Sequence, residues 1–563
     1  MNYKLLITNK AMQEIHKQLI KECIEQKISR VEDFSIFKKR FYSQNKLPQP
    51  TNADIRDIYE KMISKKEIKR NPSLESAMLS RAVRTQSGVA VIAVLTKPSD
   101  CPGKCIFCPT EKGMPKSYLS NEPAVMRAIM NKFDPYRQVQ SRIKALELNG
   151  HSTDKIELIV MGGTFSYFPK TYQKRFIKEC FRACNDYRHG TYSIEHGTKN
   201  AKKIAKMPVK EELLKEQKKN EKAAHRIVGL TLETRPDYVD EKEILNFRNL
   251  GCTRVELGIQ SIFDDILEKN NRGHGVKEIV DATKLLKDAG FKINYHMMPG
   301  LLGSTPKRDF EMFETLFSDS RFQPDMLKIY PLVVVKNSEL YKIWKDGKYK
   351  ALTDEKFKEL VVKIKNEVIP PYTRIQRLIR DVPLPSIEAG PKISNLRQII
   401  EKESQCKCIR CREVKGEFEL KEKIILDRID YSASEGKEIF LQFVSPDKKK
   451  LFALLRLRIP SSAPPSYQGG GWEGVLYENI PALKNAALIR EVHTYGKLTA
   501  ISKKEATSPQ HIGLGKKLLK EAERIAKKEF GAEKIAVISG VGVRGYYRKN
   551  GYRLRDTYMV KSI

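Results

Sequence analysis

Six apolar runs of strand length recur along the middle of this 563-residue chain, and segments of helical pattern separate them. The runs are Val89 to Leu95, Ile156 to Met161, Ile227 to Leu232, Val255 to Ile259, Ile293 to Met298 and Leu327 to Tyr330. Strands that alternate with helices are typical of a parallel sheet, because a parallel connection must cross over the sheet. The pattern predicts a complete or partial α/β barrel, a fold whose chemistry gathers at the carboxyl ends of the strands.

One barrel does not account for the whole chain, since a single hydrophobic core stops growing at roughly 250 to 300 residues. The alternating pattern ends after Arg380-Asp381-Val382-Pro383, and we predict a second domain from near Val414. Its predicted strands are Glu438 to Val444, Leu451 to Arg458, Leu488 to His493 and Lys534 to Ser539, with an amphipathic helix over Leu514 to Phe530. Residues 1 to about 80 precede the barrel as a basic segment of helical pattern.

The balance of charge favours a polyanionic partner. The chain has 104 Lys and Arg residues against 69 Asp and Glu residues, a formal net charge of +35. Such an excess repels itself unless a polyanion neutralises it, so nucleic acid is the favoured partner, with a membrane surface or a ribosomal setting as weaker alternatives. The highly charged stretch from Lys199 to Lys222 is predicted to be a solvated insertion, with a nucleic-acid-binding arm as the alternative.

Nothing in the sequence predicts a membrane protein. The longest apolar run, Gly88 to Leu95, is far shorter than a membrane-spanning helix requires. The N-terminus also lacks the apolar stretch and cleavage site of a secretory signal. We therefore expect a cytoplasmic protein whose ten cysteines are reduced and serve metal binding or catalysis.

Three of these cysteines, Cys101, Cys105 and Cys108, lie on one short loop directly after the first predicted strand. Three thiolates can hold three irons of a [4Fe-4S] cube and leave the fourth iron open to a substrate or cofactor. Zinc is the alternative, although structural zinc takes four closed ligands, usually as two separated pairs.

This loop, with Phe107 before its last cysteine, resembles that of the radical S-adenosylmethionine enzymes. The sequence Met161-Gly162-Gly163-Thr164 then ends the next predicted strand, and glycines let the backbone come close to a ligand. It resembles the superfamily's motif for the methionine amino group, which implies that Gly162 and Gly163 contact S-adenosylmethionine.

In the second domain, Gln510-His511-Ile512-Gly513-Leu514-Gly515-Lys516 opens the amphipathic helix. Free amides at a helix N-terminus suit a pyrophosphate. The motif resembles the acetyl-CoA loop of the GCN5-related N-acetyltransferases. Tyr546 and Tyr547 follow the next strand, and in such enzymes a tyrosine near the thioester sulfur can give a proton to the departing thiolate. We predict these two tyrosines as catalytic candidates and expect one of them to be a core aromatic.

The two halves together are similar to the catalytic subunit of Elongator, the tRNA uridine(34) acetyltransferase family. Besides the motifs above, the resemblance is carried by Tyr118 with Glu122-Pro123 and Arg127-Ala128, Leu232-Glu-Thr-Arg-Pro-Asp237, Asn271-Arg-Gly-His274, His296-Met-Met-Pro299, Arg380-Asp381, Glu491-Val-His-Thr494, and Ile535-Ala-Val-Ile-Ser-Gly-Val-Gly542. It implies a basic helical segment over 1–80 that binds tRNA, a partial TIM-type (β/α) barrel of the radical S-adenosylmethionine class over 81–385, a zinc linker over 386–415 and an acetyltransferase domain over 416–563.

The implied reaction is carboxymethylation of carbon 5 of the tRNA wobble uridine, with a [4Fe-4S] cluster, S-adenosylmethionine and acetyl-CoA as cofactors. The implied partners are a tRNA anticodon stem-loop and accessory subunits. The residues that the resemblance implies for acetyl-CoA are Lys155, Glu491, Val492, His493, Thr494, Gln510, Gly513, Leu514, Gly515, Lys516 and Tyr547.

A second cysteine cluster, Cys406, Cys408 and Cys411, resembles a zinc-binding linker found in part of this family. Its spacing suits zinc, the fourth ligand is not visible nearby, and buried free thiols are the alternative. Three other functions compete with the favoured one. They are a protein-lysine acetyltransferase with a structural iron-sulfur site, a tRNA-binding scaffold, and another radical enzyme such as a porphyrinogen oxidase relative.

Overall fold

The structure is a computed structural model that describes residues 9–79, 88–188, 208–415, 422–460, 478–496 and 513–563. Two seven-stranded sheets dominate it, and a helical unit precedes them. Within the described ranges, no helix combines the length and the apolar character needed to cross a membrane. The predicted α/β class, with a barrel-like half followed by a second domain, is confirmed.

Four helices form the N-terminal unit: α1 (Asn9–Glu25), α2 (Val31–Gln44), α3 (Asn52–Ser64) and α4 (Pro72–Ala77). Their starts follow from the sequence, since Thr51 and Asp54 form a capping box and Asn71 caps a helix whose first residue is Pro72. Apolar and aromatic side chains, Tyr42 and Tyr59 among them, pack between the helices as a separate small core.

The first sheet is a partial barrel of parallel strands that lie in chain order. The strands are β1 (Ala90–Leu95), β2 (Lys155–Met161), β3 (Arg226–Thr234), β4 (Arg254–Gln260), β5 (Lys292–Met297), β6 (Met326–Ile329) and β7 (Arg374–Arg377). The first six confirm the predicted apolar runs with small shifts at their ends. The seventh was not predicted, because Ile375 is the one apolar residue of its four.

Helices cover this sheet and connect its strands. They are α5 (Pro123–Met130), α6 (Pro135–Leu148), α7 (Lys170–Asp186), α8 (Val209–Asn220), α9 (Glu241–Leu250), α10 (Asp264–Lys269), α11 (Val276–Asp288), α12 (Pro306–Ser318), α13 (Glu339–Lys345), α14 (Asp354–Lys363), α15 (Leu396–Ile399) and α16 (Ile409–Arg412). Several begin at side-chain caps, as at Asp134, Asp240 and Thr353.

Of the stretch predicted to be a solvated insertion, residues 208–222 are exposed along one face and packed along another, while 199–207 lie outside the described residues. The helix α8 packs along α7 and buries Leu213. At its end, the Glu221 carboxylate accepts a hydrogen bond from Arg548 of the second domain at 2.6 Å. The packed face could not be predicted from an apolar pattern in the sequence. Its buried positions include polar residues that make hydrogen bonds instead.

The strands of the second sheet are β8 (Ile425–Ala433), β9 (Gly436–Val444), β10 (Leu451–Ile459), β11 (Ala486–Thr494), β12 (Lys534–Val537), β13 (Arg553–Arg555) and β14 (Tyr558–Ser562), and its helices are α17 (Leu514–Phe530) and α18 (Arg544–Lys549). The sheet is mixed, in the order β13-β14-β12-β11-β10-β9-β8. β11 and β12 are parallel and the other pairs are antiparallel. The bounds predicted for α17 are confirmed, and its apolar face packs on the sheet.

The two sheets meet across a tightly packed, charged interface. Arg458 of β10 donates to Asp288 at the end of α11 at 2.9 Å, with both side chains buried. The loop after β12 lies directly on β3, where a Cβ atom on Gly540 would collide with the carbonyl oxygen of Val228. Glycine there lets the two halves touch backbone to backbone.

Candidate functional site

A cavity of about 2810 Å³ runs along the first sheet and reaches the second. Its walls include the loop of Cys101, Cys105 and Cys108, the inner faces of the parallel strands, and the end of β11. The second cysteine cluster and the start of α17 also line it. Residues predicted for the iron-sulfur cluster and for acetyl-CoA therefore share one continuous space.

The first cysteine loop leaves β1 at its carboxyl end, where a barrel carries its active-site loops. The backbone of Ile106 anchors it, accepting a hydrogen bond from the amide of Leu340 at 2.9 Å. The Cys105 sulfur accepts one from Arg272 Nη1 at 3.0 Å. A hydrogen bond with Cys108, together with the nearby charge of Arg272, holds the pKa of Cys105 below its usual range.

A thiol that ionises readily is suited to bind iron, because the thiolate is the form that binds metal. A cube also takes each thiolate at a different iron atom, so the three sulfurs do not have to meet at one point. The donor set of this loop therefore fits a [4Fe-4S] cluster.

Gly162 and Gly163 follow β2 at the same edge of the sheet, with φ of 128° and 94°. A Cβ atom at Gly162 would collide with the hydroxyl of Thr96. Both the backbone conformation and the lack of space therefore require glycine there. Thr164, which follows, brings its hydroxyl within 3.9 Å of the Cys101 sulfur, so this turn lies against the cysteine loop.

Charged side chains also line the middle of the barrel. His296 Nε2 lies 2.8 Å from a Glu256 oxygen, and the ammonium of Lys328 contacts the same carboxylate. Burial alone would lower the pKa of Lys328, but the nearby Glu256, Tyr330 and Glu233 raise it above its usual value. The side chains of Glu233, Glu256 and His296 could by donor type hold a metal ion. Lys328 already supplies the positive charge among them.

At the opposite end of the cavity, the residues predicted for acetyl-CoA divide between two elements. Glu491, Val492, His493 and Thr494 form the partly exposed end of β11, and Gly513, Leu514, Gly515 and Lys516 form the start of α17. Gly513 has a φ of 78°, a left-handed conformation that turns the chain into the helix. Gln510 lies outside the described residues.

The Glu491 side chain forms ion pairs with two basic residues. Lys292 Nζ lies 3.0 Å from one of its oxygens, and Arg456 Nε donates to the other at 3.0 Å. Burial alone would raise the pKa of this carboxyl, but Lys292 and Arg456 hold it below its usual range. The backbone of β11 therefore remains the part of Glu491 suited to binding a ligand.

Tyr546 and Tyr547 lie on α18 and both line the cavity. Tyr547 is 6% exposed and packs in the core of the second domain, whereas Tyr546 is 41% exposed. The Tyr546 hydroxyl lies 3.0 Å from the position of a Cβ atom on Gly515. Burial raises the pKa of both phenols, which keeps them protonated as proton donors.

Lys155 begins β2 at the amino end of the barrel and lines the same cavity. Desolvation lowers the pKa of its ammonium group. Its neighbour in the sheet register is Arg226 of β3, so two basic side chains begin adjacent strands. This edge faces the second domain, since a Cβ atom on Gly542 would lie 2.7 Å from Arg226 Cβ.

The sulfur atoms of Cys406, Cys408 and Cys411 lie within 4.8 Å of one another, close enough for one metal ion. Cys406 and Cys408 are buried and Cys411 is exposed. Within the described residues, no His, Cys, Asp or Glu completes this group as a fourth ligand. The three thiolates supply three of the four ligands that a structural zinc takes.

Sequence reasoning assigned no role to several side chains of the site. Arg235 and Arg272 lie beside the cysteine loop, and Glu256 and Lys328 lie inside the barrel. A charged residue in the middle of a predicted buried strand, as Glu256 is in β4, was the available signal.

Two family models match the chain between residues 97 and 405. The model of the radical SAM superfamily matches residues 97–316, and that of the radical SAM C-terminal domain matches residues 324–405.

The chain is also similar to curated proteins over most of its length. It is 44% identical to the tRNA uridine(34) acetyltransferase of Methanocaldococcus infernus, covering 86% of this chain and 87% of that protein. It is 44% identical to the tRNA uridine(34) acetyltransferase of Dehalococcoides mccartyi, covering 86% of this chain and 100% of that protein. It is 38% identical to Elongator complex protein 3 of Homo sapiens, covering 86% of each.

A solved structure shares the fold. The archaeal Methanocaldococcus infernus Elp3 with an N-terminal deletion aligns with a TM-score of 0.67 and 39% identity, covering 85% of this chain and 100% of that one.

Proposed function

The chain belongs to the family of the tRNA uridine(34) acetyltransferases and Elongator complex protein 3, and from this premise we propose that it modifies carbon 5 of the tRNA wobble uridine. The proposed product is a carboxymethyl group whose carbon atoms come from acetyl-CoA. A pyrimidine carbon is a poor target for ordinary acyl transfer, so the proposal requires radical chemistry from a cofactor.

One observation carries this proposal. The cysteine loop and the end of β11 line the same cavity, although they belong to different sheets. An acetyltransferase working alone needs no opening toward an iron-sulfur site. A shared cavity suits a reaction in which the acetyl group is used near the cluster.

We assign the cluster to Cys101, Cys105 and Cys108, and S-adenosylmethionine to the turn of Gly162 and Gly163. When bound, the reduced cluster with S-adenosylmethionine supplies a carbon-centred radical able to remove a hydrogen atom from the acetyl methyl group. The residues of the chain hold, orient and shield the cluster and S-adenosylmethionine. Arg272 stabilises the thiolate of Cys105 with a hydrogen bond, and the glycines leave room for a ligand.

Acetyl-CoA is assigned to the other end of the cavity. The edge of β11 from Glu491 to Thr494 can pair with the amides of the pantetheine arm, as an extended ligand does with a strand edge. The amides of Leu514 and Gly515 lie at the start of a 17-residue helix, which suits a pyrophosphate. Lys155 offers a cation to a phosphate from the barrel side. Tyr546 and Tyr547 are the proposed proton donors to the thiolate that leaves when the thioester is hydrolysed.

The tRNA anticodon stem-loop is the proposed polyanionic partner of a chain with a net charge of +35. Basic side chains line the cavity and can hold phosphates while an unstacked base enters. They include Arg127, Arg142, Arg377, Arg397, Lys407 and Lys415. Accessory subunits of the Elongator type are proposed as further partners.

Zinc at Cys406, Cys408 and Cys411 is proposed as a structural ion. The segment touches both halves, since the Arg412 guanidinium donates to the carbonyl of Pro371 at 2.8 Å and the Val414 amide to that of Leu451 at 3.0 Å. A metal there would fix the angle between the two sheets. Elemental analysis should count one zinc per chain and none after Cys408→Ala.

A protein-lysine acetyltransferase is the competing function. Such an enzyme needs a general base for the acceptor amine. The carboxylate of Glu491, the first of the β11 residues proposed to bind acetyl-CoA, is held by Lys292 and Arg456. Those ion pairs disfavour Glu491 as that base.

The test is an anaerobic reaction of the reconstituted protein with reductant, S-adenosylmethionine, acetyl-CoA and unmodified tRNA, followed by mass spectrometry of nucleosides. We expect carboxymethylated uridine that disappears with Cys105→Ala and falls with Tyr547→Phe, with Tyr546→Phe as the paired variant. Acetylated protein lysines with unchanged tRNA would contradict the proposal.

A further inference from the structure

Arg235 follows β3 at the carboxyl edge of the barrel, and its side chain is almost completely buried. The Nε and Nη2 atoms both donate to the Asp237 carboxylate, at 2.9 and 2.8 Å. This bidentate pair fixes the plane of the guanidinium. The Nη1 atom is left buried without a hydrogen-bond partner among the described residues.

That unused donor lies against the cysteine loop. A Cβ atom on Gly103, between Cys101 and Cys105, would collide with Arg235 Nη1 and lie 3.5 Å from the Cys105 sulfur. Because the two atoms flank the same point, Nη1 and the sulfur are within about 6 Å of each other. Gly273 leaves space on another side, where a Cβ atom would be 3.3 Å from Arg235 Nη2. The guanidinium thus occupies a slot between two glycines beside the loop.

The neighbouring cation is used differently. Arg272 donates to the Cys105 sulfur through Nη1, and its Nη2 contacts the Gly258 carbonyl and lies 3.0 Å from His274 Nε2. Both terminal nitrogens of Arg272 therefore have protein partners. Arg235 is the cation beside the loop whose terminal nitrogen has no such partner among the described residues.

Resting on the proposed iron-sulfur function, we propose that Arg235 sets the reduction potential of the cluster by stabilising its reduced form. A cube held by three thiolates gains one negative charge when a low-potential electron donor reduces it, and no bond is broken. A permanent cation with a free N–H group, buried beside a ligand sulfur, stabilises that added charge in a low-dielectric site. Hydrogen bonds to the sulfurs and nearby charge are known to change the reduction potentials of such clusters.

Asp237 has a defined part in this arrangement. Its carboxylate orients Arg235 and also offsets part of the positive charge, and it is the more exposed partner of the pair. Removing the arginine should therefore lower the potential, whereas removing only the negative charge should raise it. Opposite shifts at two bonded residues are not expected of a purely structural ion pair.

The experiment is a potentiometric titration of the full chain with reconstituted cluster, using dithionite as reductant and the electron paramagnetic resonance signal of the reduced cluster as readout. Arg235→Gln should shift the ratio of reduced to oxidised cluster toward oxidised by about tenfold at fixed potential, or about 59 mV for one electron. Arg235→Lys should retain most of the wild-type potential, and Asp237→Asn should shift it the other way.

Arg428→Gln is the matched control, since Arg428 forms a similar bidentate pair with Asp430 in the second sheet. It should leave the potential unchanged. A potential for Arg235→Gln equal to that of the control would overturn the proposal, as would loss of bound iron in both Arg235→Gln and Arg235→Lys. If the wild-type chain binds no cluster at all, the proposed function itself falls, which is a separate outcome.

Discussion

Arg490 of the second sheet donates to Asp325 of the barrel half through Nη1 at 2.9 Å, and both side chains are completely buried. Asp325 also accepts a hydrogen bond from the backbone amide of Ile293 in β5 at 2.9 Å. One carboxylate therefore joins a barrel strand to the strand that carries the proposed acetyl-CoA residues. We infer that the shared cavity depends on this contact, because it holds the two sheets at a fixed angle.

Asp325→Ala should destabilise the protein severely. The change would remove the closest counterion of the buried Arg490 and one of the two carboxylates that pair with the buried Arg456. Breaking a buried pair from one side costs about 3–5 kcal/mol of unfolding free energy. Urea unfolding measures it, with Asp319→Ala as control, since the Asp319 pair with Arg321 is more exposed and should cost about 1 kcal/mol or less. Equal losses for the two variants would argue against a central role for Asp325.

Lys287 lies in the same buried cluster, 3.7 Å from Glu438. We expect it to make the stability of the protein depend on pH. Burial lowers the pKa of its ammonium to about 8 in the folded chain. The unfolded chain, with an ordinary lysine pKa, then binds more protons between about pH 8 and 10.5, so this residue makes the unfolding free energy rise with pH in that window.

The measurement is urea unfolding of the wild type and Lys287→Met at pH 7, 8, 9 and 10. The unfolding free energy of the wild type should rise relative to that of the variant as pH increases over this range, by on the order of 1–3 kcal/mol in all. A difference between the two proteins that is constant over this range would mean that Lys287 has an ordinary pKa.

Gly162→Ala should disrupt the turn proposed for S-adenosylmethionine. A Cβ atom there meets Thr96 and also strains a backbone with φ of 128°. We expect a loss of S-adenosylmethionine affinity of tenfold or more by calorimetry, on the order of 1.4 kcal/mol. The control is Gly347→Ala, because Gly347 also has a positive φ of 72° but open space around it. Similar affinity in both variants would remove this turn from the binding site.

Cys105→Ala should abolish iron binding while leaving acetyl-CoA affinity unchanged, since Cys105 is not among the residues proposed to bind acetyl-CoA. The paired variant is Cys252→Ala, which removes a thiol that is completely buried in the barrel core. Burial raises the pKa of Cys252 to about 12, so it stays a neutral thiol and serves packing. Iron content after anaerobic reconstitution decides the point, and equal iron in the two variants would contradict the assignment.

The elements that the sequence predicted are those with a clear hydrophobic pattern. β1 to β6 have apolar runs and α17 has one apolar face, and all were placed correctly within a few residues. β8 was missed because its outward positions carry charges, so Ile425–Ala433 reads as a polar segment. β13 is only three residues long and none of its residues is buried, so it gives no hydrophobic signal.

The site was predicted only in part for a related reason. Local motifs point to the cysteine loop, the glycine turn and the start of α17, because each is a run of consecutive residues. Pairs such as Arg490 with Asp325 are 165 residues apart, and only the folded sheets show that they meet. The same holds for Arg235, whose role depends on a glycine more than a hundred positions before it.

Isotope transfer shows whether the acetyl group is activated at the iron-sulfur end of the shared cavity. The reaction would be run anaerobically with acetyl-CoA deuterated at all methyl positions, and both 5'-deoxyadenosine and tRNA nucleosides analysed by mass spectrometry. We expect one deuterium in 5'-deoxyadenosine and two in the carboxymethyl group on the wobble uridine. Unlabelled 5'-deoxyadenosine together with a carboxymethyl group that retains no deuterium would rule out activation of the acetyl group at this end of the cavity.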